Sequence, residues 1–358
     1  EVLNQTEWVA AERVFSVDRD LEALMRARGV PLLSLETHRR VRDFDVLGIS
    51  LATELVYTNV LNALDLAGIP VHSVDRGEDM PIVVAGGHCA TNPEPLADFL
   101  DVVVVGDGEQ AVTELSRCLR TWKRAGKPEG RTGLLAQLAA TGEFYVPAFY
   151  DVTYGPGGAI AKVSPNRPGV PLQVQRWVLT DLDQWPYPKA PVVPMAETIH
   201  ERYSVEIFRG CTRGCRFCQA GMITRPVRER SLPVIGEMVE CGLEATGLEE
   251  VGLLSLSSAD HSEIGDIVAQ LANRYQGSEV SLSLPSTRVD AFNIDLAAEL
   301  ARNGRRSGLT FAPEGGTERM RRVINKNVSE QDLIDTVTTA FGSGWRQVKL
   351  YFICMLIS

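Results

Sequence analysis

Short apolar runs recur along this chain at intervals that a helix fills, and this alternation restricts the fold more than any other feature. In the first series "DVLGIS" (45–50), "PIVVAGG" (81–87) and "DVVVVGDGE" (101–109) read as buried strands. Residues 55–66 carry apolar side chains at helical spacing, and "QAVTELSRCLRTW" follows the third strand as a helix. Strands that are apolar throughout and separated by helices belong to a parallel sheet covered on both faces. Residues 1–120 are therefore expected to form a doubly wound α/β domain that binds ligands at the carboxyl ends of its strands. Gly86, Gly87, Gly106 and Gly108 stand at those ends. Such glycines allow either close approach of a ligand or a tight turn, and both readings stay open.

A second series begins after Tyr203. "VEIF" (205–208), "VGLLSL" (251–256), "VSLSL" (280–284), "GLTFAPEGG" (308–316) and "VKLYFI" (348–353) are its strands. Residues 232–244, 261–275 and 294–304 read as helices, the last ended by a glycine cap. Repeated strand–helix units predict a partial (β/α) barrel over 201–358, with its chemistry where strands end and loops begin. Residues 121–200 are rich in Gly and Pro, with "YGPGGA" as a hairpin-like turn and "QWPYPKAPVVP" as a proline-dense stretch. They are expected to form a semi-rigid connector. A length of 358 residues agrees with two domains, because single cores stop growing at roughly 250–300 residues.

Three of the seven cysteines fall inside "RGCTRGCRFCQAG" (209–221), directly after the first strand of the second series. No run of about 18 apolar residues is present, so no membrane helix is expected. The amino terminus lacks a basic region followed by an apolar one, which points to a cytoplasmic protein with reduced thiols. There, clustered cysteines mean metal or catalysis more often than disulfides. The net charge of −10 argues against a protein that coats nucleic acid. In Cys211-x₃-Cys215-x₂-Cys218, three thiolates share one short loop whose backbone Gly210 and Gly214 relieve. Three ligands are one too few for a closed zinc site. Cys241, the available fourth, lies on the far side of an expected helix. On a four-iron cluster, three thiolates leave one iron open for a substrate. A purely structural thiol cluster is the remaining reading, and a Gly/Arg loop is poorly suited to a core.

The loop resembles the signature of the radical S-adenosylmethionine superfamily, in which an aromatic residue, here Phe217, precedes the third cysteine. The resemblance covers most of the chain. "VVAGGHCATNPEPLADFLDVVVVGDGE" is similar to the cobalamin-binding domain that precedes the radical domain in many members, and "LTDLDQWPYP" to their linker. "LPSTRVD" and "APEGGTERMRRVINK" are similar to a subgroup often encoded with, or fused to, a radical-linked partner domain. The resemblance implies a 4Fe–4S cluster on Cys211, Cys215 and Cys218, with S-adenosylmethionine on the open iron. It implies a 5′-deoxyadenosyl radical and an electron donor such as flavodoxin or ferredoxin. Phe217 would shield the cluster and flank the adenine, or be a core aromatic. Arg288 would clamp a carboxylate. Glu314 would stand near the cofactor, or be a carboxylate at a helix start. Arg209, Arg213, Arg216, Arg225, Arg228 and Arg230 are expected mostly in solvent or paired with Glu206 and Glu229, with one or two on ligand.

Two departures qualify the resemblance. Many members carry Gly-Gly-Glu after the second strand for the methionine amino group; this chain has "LSLSSAD", which leaves Ser257, Ser258 or backbone carbonyls to serve. The start, "EVLNQTEWVAAERVF", and the end, "VKLYFICMLIS", read as those of a fragment with an incomplete barrel, expected to be unstable alone. None of His38, His72 and His88 stands in the Asp-x-His-x-x-Gly context of a cobalt ligand. The resemblance therefore implies cobalamin without a protein histidine on cobalt, or an empty sheet domain. Two classes of function follow. One is a radical enzyme, of methyltransferase type or related, with RNA or a ribosomal component among its candidate substrates. The other is a non-catalytic iron–sulfur module for redox sensing or electron transfer.

Overall fold

The computed structural model describes residues 1–353 other than 197, 199–200, 286–287, 290–293 and 303–308. The chain divides into two compact units, Glu1–Leu179 and Thr180–Ser358. In the first, helix α1 (Arg19–Arg28) precedes strand β1 (Val46–Ser50), helix α2 (Tyr57–Leu66), strand β2 (Ile82–Gly86) and strand β3 (Val102–Val104). Strands β1, β2 and β3 are parallel neighbours in that order, as the apolar runs require. Helix α3 (Gly108–Arg124) buries Ala111, Leu115, Cys118 and Trp122, a spacing that keeps one face on the sheet. Each large apolar side chain buried this way contributes about 1.5–3 kcal/mol.

Part of the stretch expected as connector belongs to this unit. Helix α4 (Gly130–Ala140) packs on α3, and strand β4 (Phe144–Tyr145) joins the sheet antiparallel to β3. Two helices in succession reverse the chain once more than a single crossover does, so β4 runs against its neighbour. Strands β5 (Tyr150–Tyr154) and β6 (Ile160–Pro165) form an antiparallel hairpin, closed at the "YGPGGA" turn by Gly157 and Gly158 with φ of +90° and +80°. The proline-dense stretch 186–194 carries neither helix nor strand.

The second unit holds strands β7 (Tyr203–Glu206) and β8 (Phe208–Arg209), helix α5 (Ala220–Ile223), strand β9 (Arg228–Glu229) and helix α6 (Leu232–Thr246). Then come strand β10 (Glu250–Leu254), helix α7 (Ile264–Arg274), strand β11 (Ser281–Ser283) and helix α8 (Ile294–Arg302). Strand β12 (Leu309–Glu314), helices α9 (Glu318–Val323) and α10 (Glu330–Gly342), and strand β13 (Val348–Phe352) complete it. Strand β10 lies between β7 and β11, all parallel, and β12 pairs with β13 in parallel. Val205, Ile207, Ile235, Val251, Leu253 and Val268 are at the centre of its core. The glycine cap expected at the end of α8 falls outside the described residues, as do Met355, Leu356 and Ile357. Residues 180–183 are bound into this unit: the Asp183 carboxylate accepts the Ser231 N–H at the start of α6, and the Leu182 carbonyl accepts from Arg230. No helix among the described residues is long and apolar enough to cross a membrane.

Candidate functional site

The cysteine loop leaves β8 at its carboxyl end through Gly210, whose φ is +97°. A Cβ there would stand 2.6 Å from the Pro226 carbonyl oxygen, so the turn requires glycine. Cys211, Cys215 and Cys218 are free, half-buried thiols. The Cys218 N–H donates to the Cys215 carbonyl at 3.0 Å, which turns the third cysteine back towards the second. Cys218 Sγ accepts the Gly221 N–H at 3.4 Å. A Cβ at Gly221 would lie 3.7 Å from Cys218 Sγ and 3.8 Å from Cys211 Cβ, so this small residue leaves a cradle between first and third cysteines. Among the described residues no three His, Cys, Asp or Glu side chains converge on one metal ion. The thiolates of a cuboidal cluster each bind a different iron and need no such convergence. Three free thiols in one loop, the first and third of them flanking the cradle at Gly221, fit a cluster of that kind. Cys241, on α6, lies by Tyr187 and Tyr203.

The arginines around the loop mainly hold backbone. Arg225 donates to the Cys211 and Arg213 carbonyls at 3.3 and 2.9 Å, and Arg228 to those of Pro226 and Thr224 at 2.9 Å each. Arg216 donates its N–H to the Ile324 carbonyl at 2.9 Å and its guanidinium to that of Val323. Buried Arg230 reaches Leu182. Arg209, on Glu206 at 2.9 and 3.0 Å, and Arg230, 3.8 Å from the same carboxylate, pair as the sequence suggested. Glu229 accepts from the Ser262 N–H at 2.8 Å and from its hydroxyl. A loop without a ladder must satisfy its carbonyls by other means, and guanidinium groups supply the donors.

Arg213 is the arginine that meets a carboxylate across the site, binding Asp260 bidentately at 3.0 and 2.6 Å. Asp260 follows β10, the strand whose end the resemblance assigns to the methionine amino group. Burial, the largest influence, pushes the Asp260 carboxyl up, but the Arg213 hydrogen bonds and the Arg213 and Arg288 charges outweigh it, and its pKa is lowered. Arg288 and Ser257 are thereby brought to the same carboxylate. The Ser257 hydroxyl adds to the lowering, yet its buried Oγ completes no hydrogen bond of good geometry. Ser258 is different: its Oγ donates to the Leu253 carbonyl at 2.8 Å and contacts Ser255 Oγ at 3.0 Å, closing the turn after β10.

Phe217 is 46% exposed, which removes the core-aromatic reading. Glu314 is not in a helix start either, because α9 begins at Glu318 behind the Thr317 cap. It ends β12 in the left-handed region with φ +64°, and Lys326 Nζ stands 3.7 Å from its carboxylate. In the first unit, a Cβ on Gly87 would stand 2.9 Å from the Leu51 carbonyl oxygen, and one on Gly106 2.1 Å from that of Trp177. The chain's own backbone requires glycine at both. Gly108 faces open space, and Gly86 meets only Val104 at 3.9 Å. A cavity of about 710 Å³ lies between the amino-terminal segment, β1 and α3, lined by Trp8, Val14, Val46 and Leu115 among others. None of the four glycines lines it. Nothing local in the sequence marks Asp260, Asn325 or Lys326: Asp260 meets Arg213 across 47 residues, Asn325 meets Gly214 across 111, and Lys326 reaches back to Glu314.

Residues 1–147 match the model of "Radical SAM proteins, N-terminal", and residues 205–357 that of the "Radical SAM superfamily". The chain carries the N-terminal and the core domain of radical S-adenosylmethionine proteins. It is 29% identical over 330 residues to "Uncharacterized protein MJ0966" of Methanocaldococcus jannaschii, covering 91% of this chain and 62% of that protein. Among solved structures it resembles the radical S-adenosylmethionine methyltransferase TsrM of Kitasatospora setae, with cobalamin and a 4Fe–4S cluster bound. That likeness has a TM-score of 0.56 and 13% identity, over 93% of this chain and 61% of TsrM. It also resembles the cobalamin-dependent radical enzyme OxsB with aqua-cobalamin bound, at TM-score 0.54 and 14% identity, over 87% of this chain and 41% of OxsB. At such identities the likeness shows a shared fold. The chain spans less than two thirds of the length of each of these relatives.

Proposed function

We propose that this chain holds a 4Fe–4S cluster on Cys211, Cys215 and Cys218 and uses it to cleave S-adenosylmethionine for radical chemistry. The observation that carries the reading is the cradle at Gly221 between free thiols, in a chain matching the superfamily model over 205–357. Cys211, Cys215 and Cys218 would hold the cluster, which would supply one electron for reductive cleavage of the S–C5′ bond of S-adenosylmethionine, giving methionine and a 5′-deoxyadenosyl radical that would take a hydrogen atom from the substrate. The electron comes from an external one-electron donor of the flavodoxin or ferredoxin class. Ser257, whose buried Oγ lacks a partner, receives the ammonium of the methionine moiety; Ser258 is already committed to its own turn. Arg288 clamps the carboxylate, half-exposed Phe217 flanks the adenine, and the Glu314–Lys326 pair borders the same site. In the first unit, the match to the N-terminal domain and the cobalamin named for TsrM and OxsB support cobalamin binding and methyl transfer. Gly86 and Gly108 leave room for it.

Anaerobic reconstitution with iron and sulfide, followed by a reductant and S-adenosylmethionine, tests the reading. Expected are about four irons per chain, visible charge-transfer absorption and 5′-deoxyadenosine. Cys→Ala at 211, 215 or 218 should abolish all three, while Cys89→Ala, Cys118→Ala and Cys241→Ala should not. A cluster that forms without ever yielding 5′-deoxyadenosine would favour the electron-transfer module. Failure of hydroxocobalamin to bind would remove the methyl-transfer part alone.

A further inference from the structure

The cysteine loop is held from outside by a turn more than a hundred residues further along. Asn325 Nδ2 donates to the Gly214 carbonyl at 2.7 Å, and Gly214 is the residue between the first two cysteines' loop and Cys215. In the opposite direction Arg216 takes the carbonyls of Val323, the last residue of α9, and of Ile324, which caps it, where a helix leaves carbonyls without partners. Asn325 adopts φ +56°, a left-handed conformation that asparagine tolerates better than most residues. A Cβ on Gly214 would lie 3.0 Å from Asn325 Nδ2, so the close approach depends on glycine on one side and asparagine on the other. The next residue, Lys326, stands on the carboxylate of Glu314.

We propose that Asn325 is a positioning residue for the cluster: through Gly214 it sets the shape of the cysteine loop, and with Arg216 it latches that loop to the turn after α9. The inference rests on the cluster reading above and adds a residue and a physical role to it. A trans peptide points its carbonyl and the following N–H to opposite sides. Holding the Gly214 carbonyl on Asn325 therefore turns the Cys215 N–H away from Asn325. Arg225, on the carbonyls of Cys211 and Arg213, does the same for the N–H groups of Thr212 and Gly214. Together these donors fix how the loop's N–H groups are presented, and hydrogen bonds to sulfur are among the factors that set a cluster's potential.

The test uses the full chain with Asn325→Asp and Asn325→Gly. Both accept the left-handed backbone and both lose the amide donor, so loss of the bond is separated from backbone strain. Arg322→Ala, removing an exposed ion pair with Glu318 on α9, is the control. Two quantities are read: hydrogen exchange of residues 211–218 in protein kept free of iron, and the midpoint potential of the reconstituted cluster. Both Asn325 variants should speed exchange in the loop about threefold to tenfold, the effect of losing one hydrogen bond. Both should also shift the potential, while the control moves neither. Unchanged exchange in the Asn325 variants overturns the latch whether or not iron binds. Faster exchange with an unchanged potential overturns the positioning role. A wild-type chain that assembles no cluster refutes the cluster reading instead, with the exchange result still deciding the latch.

Discussion

Asp101 lies at the entry to β3 and is the acceptor for three donors on one oxygen. Its Oδ2 is 2.9 Å from Arg76 Nη1, 2.7 Å from Arg131 Nη2 and 2.7 Å from the Val83 N–H of β2. The Arg76 side chain is fully buried and also donates to the Pro70, Val71 and Phe99 carbonyls. Burial, the largest influence, lowers the Arg76 pKa and the Asp101 charge raises it. Arginine still stays protonated, so the charge cannot be shed. Asp101→Ala would leave two guanidinium groups without their carboxylate, and breaking a buried pair from one side costs about 3–5 kcal/mol. Against a domain stability of about 5–15 kcal/mol, that is a large fraction. Asp101→Asn keeps an acceptor without its charge and should cost less. Replacing all three by Asp101→Leu, Arg76→Met and Arg131→Met should restore part of the loss, because no buried charge remains, although the Val83 N–H and the carbonyls held by the two arginines lose their partners. Two units need not unfold together, so the assay is hydrogen exchange at the slowest β2 and β3 amides, compared among variants. A loss below about 1 kcal/mol for Asp101→Ala, or a triple variant no better than the single, would refute a cost set by uncompensated buried charge.

Two further outcomes follow from the geometry. Gly106→Ala would place a Cβ 2.1 Å from the Trp177 carbonyl oxygen at φ +104°, whereas Gly108→Ala would meet nothing within 4 Å. The first should cost at least about 1–3 kcal/mol from strain alone and the second should be tolerated; equal melting of the two variants would contradict this. Asp260 has a folded pKa below its ordinary value of 3.8, so its contribution is present above that value and is lost as pH falls through the folded pKa. The melting difference between wild type and Asp260→Asn should thus be flat from about pH 7 to 5 and close only below about pH 4. A difference that widens on acidification would refute the assigned sign.

The strands of both units were legible because parallel strands, buried on two faces, are written as unbroken apolar runs. Helix α4 and strand β4 were not, because "GRTGLLAQLAATGEFY" sits beside glycine- and proline-rich sequence that dominates any average taken over 121–200. At the site, the cysteine spacing was readable since all three thiols share eight consecutive positions. Their supports were not: Arg213 finds Asp260 47 residues away, and Asn325 finds Gly214 at a separation of 111. No local pattern announces a side chain that bonds a distant carbonyl.

The arginines show the limit most directly. Their crowding between 209 and 230 was visible and suggested side chains in solvent or paired with Glu206 and Glu229, with one or two on ligand, yet Arg216, Arg225, Arg228 and Arg230 all donate to main-chain carbonyls. The reason lies in what the loop must do. The segment that carries the three thiols, residues 211–218, adopts neither helix nor strand, so its carbonyls have no ladder to enter. Water would satisfy them but would leave the loop free to move and wet the thiols. A planar guanidinium reaches two carbonyls at once, as Arg225 does for Cys211 and Arg213, and orders both peptides with a single side chain. Lysine, a point charge on a flexible stem, would not impose the same two directions. Arginine-rich sequence beside clustered cysteines is therefore as much a record of how an irregular loop is kept in shape as of the charge it binds.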